Sequence, residues 1–414
     1  MSDTPTSSPL PGSEPAVPAR SGVRSEADLL GKRGMLADRP DPRGFTKPTA
    51  VVRDPWSWAK PVRLTGWLER QDFHPVLLAI LVPVVAFFIY QLIGALAVAA
   101  MVIPGAVSDA QSGAAPDLAE VMTQLTERAD LLLIGNAIGQ YLGFGLLVFL
   151  FVMLHTRQRA QFAYVRRADT PGLLLAVVGL FVLLPFNTWL AELNNALPLP
   201  QAIRDFDQSQ MEMIEGLLGN LDISIGLALV LVALTPALCE EYLFRGYMQR
   251  QLERRIPSLF QRIARSPFAS RRSRFIAEKA PIIAVFVIVG VVFGLYHMRL
   301  TQALPLSFLG AYLAFAVWAT GSLWTGVVLH LINNGLAVLL MDYAKRNPDS
   351  QVAALEDATM PWYGALVSFG LFVAVVVAMQ RRRRALVGDA GIVEEPEMDV
   401  DADLARLEAP SGAA

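Results

Sequence analysis

Long apolar segments, rarely interrupted by charged residues, constrain this chain more than any other feature of its sequence. A run of about 18 or more apolar residues can cross the roughly 30 Å hydrocarbon core of a bilayer as a helix. Backbone N–H and C=O groups inside a bilayer must be hydrogen-bonded within the segment, which favours helices. Charged residues make up only 17% of the chain, which agrees with this interpretation. The sequence therefore predicts an all-α fold, a polytopic bundle of transmembrane helices.

Eight segments are predicted to span the membrane, with only a tight turn around Gly321 between the sixth and the seventh. They are Val76–Ile103, Leu131–Leu154, Gly172–Leu190, Ile223–Arg245 or beyond, Pro281–Met298, Ala303–Thr320, Ser322–Met341 and Trp362–Met379. The predicted transmembrane domain covers residues 55–385. A tail rich in Pro, Ser, Gly and Arg precedes it over residues 1–54, and an acidic tail follows over 386–414. Both tails are predicted to be disordered because they lack the apolar residues needed for a core.

The positions of Lys and Arg predict the orientation of the bundle. The loops after the second and fourth helices are basic, the last helix ends in Arg381–Arg384, and the loops after the first and third helices are mainly acidic. Positive loops stay on the cytoplasmic side, so both termini are expected in the cytoplasm and the chain in the plasma membrane. The arginine run is interpreted as a topology determinant. The basic stretch 254–279 is interpreted as a long link between helices four and five, and a segment on the membrane surface is one interpretation of it.

Composition also narrows the classes of partner and cofactor. The single cysteine, Cys239, excludes an intramolecular disulfide and any cysteine-based metal cluster. No basic region is interleaved with aromatic residues in the way typical of nucleic-acid binding, so no nucleic-acid partner is predicted. The expected partners are the lipid bilayer and a membrane-associated substrate.

Ionisable side chains inside predicted spanning helices are few and concentrated. Each costs about 2.5–3.5 kcal/mol on insertion scales, so such residues usually mark function. The fourth helix contains Glu240, Glu241 and Arg245, the fifth ends with His297, and the seventh carries His330 with Asn333 and Asn334 one turn on. The other two histidines, His74 and His155, fall at helix ends and are predicted to be solvated there.

Helical spacing assigns different roles to the two glutamates. Glu241 and Arg245 are four residues apart, so they share a face and can pair. Glu240 is rotated by about 100° from Glu241 and is left available for chemistry. His330 and Asn334 also lie one turn apart on one face. If the fourth helix continues to about Arg254, Glu240 and His297 reach compatible depths in the membrane.

Two chemical routes follow from these residues, and both end in hydrolysis of an amide. Glu240, His297 and His330 could bind Zn²⁺ with an open position for water. Alternatively, Glu240 acts as a general base on water while His330 and Asn334 donate hydrogen bonds to the oxyanion. A proton-coupled transporter, in which buried Glu and His form a relay, and a non-catalytic membrane scaffold remain the alternatives.

Three motifs resemble those of the CAAX-prenyl-protease and bacteriocin-processing family of intramembrane endopeptidases, also called the Abi family. They are the E-E-x-x-x-R motif at Glu240–Arg245, the F-x-x-x-H motif at Phe293–His297 and the H-x-x-x-N motif at His330–Asn334.

The resemblance covers residues 170–341 and implies a membrane-embedded peptidase acting on a membrane-associated or lipidated peptide. By that match Glu240 and His297 activate water, and His330 and Asn334 stabilise the oxyanion. Glu241 and Arg245 support the site. The resemblance does not decide whether a catalytic zinc ion is needed. It is also compatible with an immunity protein of the same fold.

Overall fold

A computed structural model of the chain describes residues 50–52, 62–111, 129–209, 224–264, 271–352 and 359–387. Most of these residues are helical, and the strands described are two short ones. Ala50–Val52 pairs antiparallel with Val62–Leu64, with Val51 opposite Arg63. The predicted tails lie outside the described residues, apart from the first of these strands and the end of the last helix.

Eight long helices correspond to the eight predicted segments. They are α1 (Pro75–Gln111), α2 (Ala129 to His155), α3 (Thr170–Asn195), α4 (Ile225 to Ala264), α5 (Arg271–Tyr296), α6 (Ala303–Thr320), α7 (Leu323–Arg346) and α8 (Trp362–Val387). Short helical turns lie at Trp67–Arg70, Arg159–Phe162 and Leu300–Gln302. Seven of the helices in the described part are long and apolar enough to cross a membrane, and the apolar part of α5, Ala280–Tyr296, is shorter. The predicted all-α transmembrane bundle is therefore confirmed.

Helix α4 is the central element, because it contacts α1, α2, α5 and α7. Two π-helical turns, Leu229–Leu234 and Tyr242–Met248, interrupt its α-helical geometry and enclose the α-helical turn Thr235–Glu241. Such π turns insert an extra residue into a helix and are frequent at functional sites. Both glutamates of the first motif therefore lie between two local distortions of the backbone.

The connection between α4 and α5 differs from the predicted long link. Helix α4 reaches Ala264 and α5 begins at Arg271, so both helices extend into the stretch 254–279. Buried Leu252 and Ile256 continue the apolar face of α4 to the end of its candidate membrane span, Ile225–Pro257, and support the extension of the helix beyond Arg245. The interpretation of this stretch as a link was wrong, whereas the prediction that the fourth helix reaches Arg254 is confirmed.

Small residues bring α5 and α6 into close contact. A Cβ atom on Gly290 would lie 2.4 Å from the Ser307 carbonyl oxygen, and one on Gly294 would lie 2.3 Å from the Ser307 hydroxyl. Glycine permits this approach because it has no side chain, a common arrangement between membrane helices. The backbone that carries Phe293 and His297 is therefore packed closely against α6.

The predicted tight turn after α6 is also present, with Gly321 in the left-handed region at φ 61°.

The arginine run at the end of α8 was predicted only to determine membrane topology, but two of its side chains also contact other helices. Arg382 forms a two-point ion pair with Asp169, with its Nη2 atom 2.7 Å from Oδ1. Arg383 stacks on the ring of Trp318 at 3.9 Å. The Arg382 hydrogen bond, helped by the Gly172 N–H, outweighs burial and lowers the pKa of Asp169. These contacts fasten α8 to the start of α3 and the end of α6.

Candidate active site

The first motif forms an ion pair in the interior of the bundle. Arg245 Nη1 donates to Glu241 Oε1 at 2.7 Å, and both side chains are 0% exposed. Arg245 also donates through Nη2 to the Gly310 carbonyl of α6 at 2.9 Å and stacks on Phe293 of α5 at 4.6 Å. The pairing predicted from the four-residue spacing is present, and Arg245 joins three helices at this level.

His330 contacts the same glutamate. Its Nδ1 atom lies 3.0 Å from Glu241 Oε1. An ionised carboxylate can only accept, so Nδ1 carries the proton and donates, which leaves Nε2 for a substrate. Gly326, one turn earlier on α7, lets the helix approach, because a Cβ there would lie 2.4 Å from Glu241 Oε2. The sequence had not distinguished which carboxylate His330 would contact.

Glu240 lies beside this pair in a different environment. Its Oε2 atom is buried and has no hydrogen-bond partner in the described part of the chain. It interacts electrostatically with Arg245 and with the phenols of Tyr90 and Tyr296. We call Glu240, Glu241, Arg245 and His330 the site cluster. Within it, Glu241 is held through Oε1 by Arg245 and His330, and its Oε2, like that of Glu240, has no hydrogen-bond partner among the described residues.

His297 lies just past the end of α5, next to the site cluster. Its Nδ1 donates to the Phe293 carbonyl at 2.8 Å, so in the neutral ring Nε2 holds the free lone pair. The Phe293 ring stands edge-on to both histidines, with its centroid 4.8 Å from that of His297 and 5.8 Å from that of His330. The two histidines therefore flank one ring, which brings the end of α5 and the middle of α7 together at this site.

Asn334 is oriented by α4. Its amide donates through Nδ2 to the Val232 carbonyl at 3.3 Å, within the first π turn, and its Oδ1 accepts from Asn333 Nδ2 at 3.1 Å. Because an amide nitrogen has two hydrogens, one N–H remains for another acceptor. Asn334 and His330 thus lie on neighbouring turns of α7 against α4.

The zinc interpretation requires Glu240, His297 and His330 to converge on one ion. Among the described residues, no three His, Cys, Asp or Glu side chains are grouped closely enough to hold a metal ion. The Nδ1 atoms of both histidines are engaged by Glu241 and by the Phe293 carbonyl, which leaves both Nε2 atoms available to a ligand. Zinc binding by Glu240, His297 and His330 remains a prediction.

Sequence reasoning missed the aromatic side of the site. Tyr90 of α1 donates to Asn136 Oδ1 of α2 at 2.5 Å, and Tyr296 of α5 donates to the Pro83 carbonyl of α1 at 3.2 Å. Both phenols interact electrostatically with Glu240. Polar Tyr and Asn side chains inside predicted spanning segments were the available signal in the sequence.

The prediction that His155 is solvated at a helix end was wrong, because the side chain is fully buried. Its Nδ1 donates to Glu69 Oε1 at 2.5 Å, and its Nε2 lies 3.0 Å from the Tyr247 hydroxyl and 2.9 Å from the Gln251 amide nitrogen. Arg254 completes the group by bonding Glu69 Oε2 at 2.8 Å and Gln251 Oε1 at 2.6 Å. We call Glu69, His155, Tyr247, Gln251 and Arg254 the end network. His74 is exposed, as predicted.

The fold and the site define a class: a multi-pass integral membrane protein with a buried cluster of glutamate, arginine and histidine on its central helices. Residues 223–336 match a family model described as type II CAAX prenyl endopeptidase Rce1-like. The match contains all three motifs and confirms the resemblance to the CAAX-type intramembrane proteases at the level of the family. No curated protein and no solved structure matches the chain.

Proposed function

We propose that this protein is an intramembrane endopeptidase that hydrolyses a peptide bond with a water activated by Glu240 and His297. One observation carries the proposal: Arg245 and His330 both donate hydrogen bonds to Glu241 Oε1, and neither donates to Glu240. The Oε2 atoms of both glutamates are buried without a hydrogen-bond partner among the described residues, so Glu240 is the carboxylate that is not committed to a site side chain. A buried carboxylate without a partner is costly, and a role in binding water gives it one.

The proposed reaction assigns one step to each side chain. Glu240 removes a proton from water, the water oxygen bonds to the peptide carbonyl carbon, and His297 Nε2 helps to orient that water. His330 and Asn334 donate hydrogen bonds to the developing oxyanion. When the C–N bond breaks, the proton held by Glu240 passes to the amine that leaves.

Glu241 and Arg245 act through His330 in this scheme. Glu241 fixes the imidazole by accepting from Nδ1, which directs Nε2 toward the substrate. Because Nδ1 already donates to Glu241, a hydrogen bond from Nε2 to the oxyanion requires that both ring nitrogens of His330 carry a proton in that step.

The proposed substrate is a membrane-associated or lipidated peptide presented from the cytoplasmic face of the plasma membrane. Basic residues at the ends of α2 and α8 and after the membrane-spanning part of α4 support this orientation. The membrane-embedded position of the cluster supports a substrate that reaches it from the bilayer.

The test is cleavage of a panel of lipid-anchored peptides by the purified protein in detergent. Glu240→Gln keeps the size of the side chain and removes the base, so we expect cleavage to fall by about 10²–10⁴-fold. The matched control is Asp342→Asn, which alters a surface ion pair with Arg346 and should leave the rate unchanged.

Full activity in a folded Glu240→Gln variant would reject the proposed base. Absence of cleavage by the unaltered protein across the panel would instead favour the scaffold or carrier alternatives. A chelator added to the active protein tests the zinc prediction separately. If Glu240 activates water without a metal, the cleavage rate should not change.

A further inference from the structure

The turn that follows His297 is held by side chains from another part of the chain. Helix α5 ends at Tyr296, and His297 and Met298 form the turn. Met298 adopts φ 55°, a left-handed conformation that non-glycine residues seldom occupy. A 3₁₀ turn at Leu300–Gln302 leads into α6. A backbone in this conformation needs external support to keep one geometry.

Asn194, near the end of α3, bridges the 3₁₀ turn and the start of α6. Its Nδ2 donates to the Leu300 carbonyl at 2.9 Å, and its Oδ1 accepts from the Leu304 N–H at 2.7 Å. The side chain is 1% exposed. One amide therefore joins the start of the 3₁₀ turn to the first turn of α6, where N–H groups lack partners within the helix.

Asp207 supports the same turn from the helical segment 201–209. Its Oδ2 accepts from the Thr301 N–H at 2.6 Å, and the residue is 3% exposed. A negative charge at this point also lies close to the start of α6, where the helix dipole favours it. Three hydrogen bonds from two buried side chains thus fix residues 300–304.

We propose that Asn194 and Asp207 are positioning residues for His297, which they act on through the turn Met298–Gln302. His297 follows the last residue of α5, so its ring direction depends on the backbone on both sides of it. The Phe293 carbonyl holds Nδ1 on the helix side, and the Asn194 and Asp207 bonds hold the turn side. This inference rests on the proposed function for the role of His297, but not for the geometry.

Both residues lie outside the segment 223–336 that matches the family. The position of His297 is thus set partly by a region of the chain that the three motifs do not include. A displacement of about 1 Å in a catalytic group can cost about 10²-fold in rate. Loss of either support should therefore lower turnover more than substrate binding.

The chain supplies a matched control for each residue. Asn195 is exposed next to Asn194, and Asp205 is exposed two residues before Asp207. The test labels the full-length protein in detergent with isotopic histidine and follows the four imidazole signals by NMR, with His297 assigned from His297→Gln. Asn194→Ala and Asp207→Ala should each shift the His297 signal and leave that of His330 in place. Asn195→Ala and Asp205→Ala should shift neither.

Two further readouts separate positioning from general stability. Asp207→Asn keeps an acceptor for the Thr301 N–H, so it should restore most of the His297 signal. In the cleavage assay, Asn194→Ala should lower kcat by about 10–100-fold with little change in KM. An unchanged His297 signal in folded Asn194→Ala and Asp207→Ala, or equal shifts of His297 and His330, would overturn the inference. The NMR result needs no turnover, so it decides this inference even if the protein cleaves none of the peptides.

Discussion

Two buried polar groups share helix α4, and they are built from the same residue types. The site cluster contains Glu240, Glu241, Arg245 and His330, and the end network contains Glu69, His155, Tyr247, Gln251 and Arg254. In each, a histidine donates through Nδ1 to a carboxylate that also pairs with an arginine. The presence of glutamate, histidine and arginine together therefore does not by itself identify the chemical site.

The two groups differ in how completely their polar atoms are paired. The buried polar side-chain atoms of the end network all have hydrogen-bond partners, whereas in the site cluster Glu240 Oε2, Glu241 Oε2 and Arg245 Nε have none among the described residues. The pKa of Glu69 illustrates the complete pairing: burial alone would raise it, but the His155 hydrogen bond and the Arg254 charge lower it overall. Full pairing suits a structural role, and unpaired atoms leave capacity for a substrate or water.

The comparison is most strongly tested by separating the two adjacent glutamates. Glu241→Gln would remove the carboxylate that is hydrogen-bonded to the fully buried Arg245, so we expect a loss of about 3–5 kcal/mol in the free energy of unfolding. Denaturant unfolding in detergent measures it. Glu240→Gln is the matched control and should be neutral or stabilising, because the buried Oε2 atom that it replaces has no hydrogen-bond partner among the described residues. Equal destabilisation by both variants would contradict the division of roles.

A smaller effect is expected in the end network. His155→Leu leaves Tyr247 and Gln251 with unmet hydrogen bonds, which should cost about 1–3 kcal/mol of stability. Cleavage per folded molecule should stay near that of the unaltered protein, measured well below the unfolding temperature. His74→Leu, at an exposed histidine, should change neither quantity. A large specific loss of cleavage in His155→Leu would extend the chemical site into the end network.

The smallest effect is expected at the ion pair between Asp169 and Arg382, which lies outside both groups. Asp169→Asn keeps the cap of α3 and removes the charge, so it should lower stability by about 1 kcal/mol or less at pH 7. The folded pKa of Asp169 is lowered, so the contribution is present above the usual value of 3.8 and disappears as the pH falls through the folded value. Thermal unfolding at pH 7 and pH 3 checks it. A difference from the unaltered protein that was as large at pH 3 as at pH 7 would exclude the charge as its cause.

The sequence by itself determined the transmembrane helices, because the apolar length needed to cross a bilayer is a local property. It also determined the Glu241–Arg245 pair, since residues four apart on a helix must share a face. The tight turn at Gly321 followed in the same way from adjacent segments. Each of these features depends on residues that are close in the chain.

Only the tertiary structure decided the contacts between helices. Nothing in the spacing of His330 indicates whether it meets Glu240 or Glu241, because that depends on how α7 rotates and approaches through Gly326. His155 was misjudged for a related reason: its place at a helix end suggested solvent, but Glu69 and α4 cover it. The support of His297 by Asn194 and Asp207 joins residues about a hundred positions apart. Such contacts arise from packing over the whole bundle, which local periodicity does not encode.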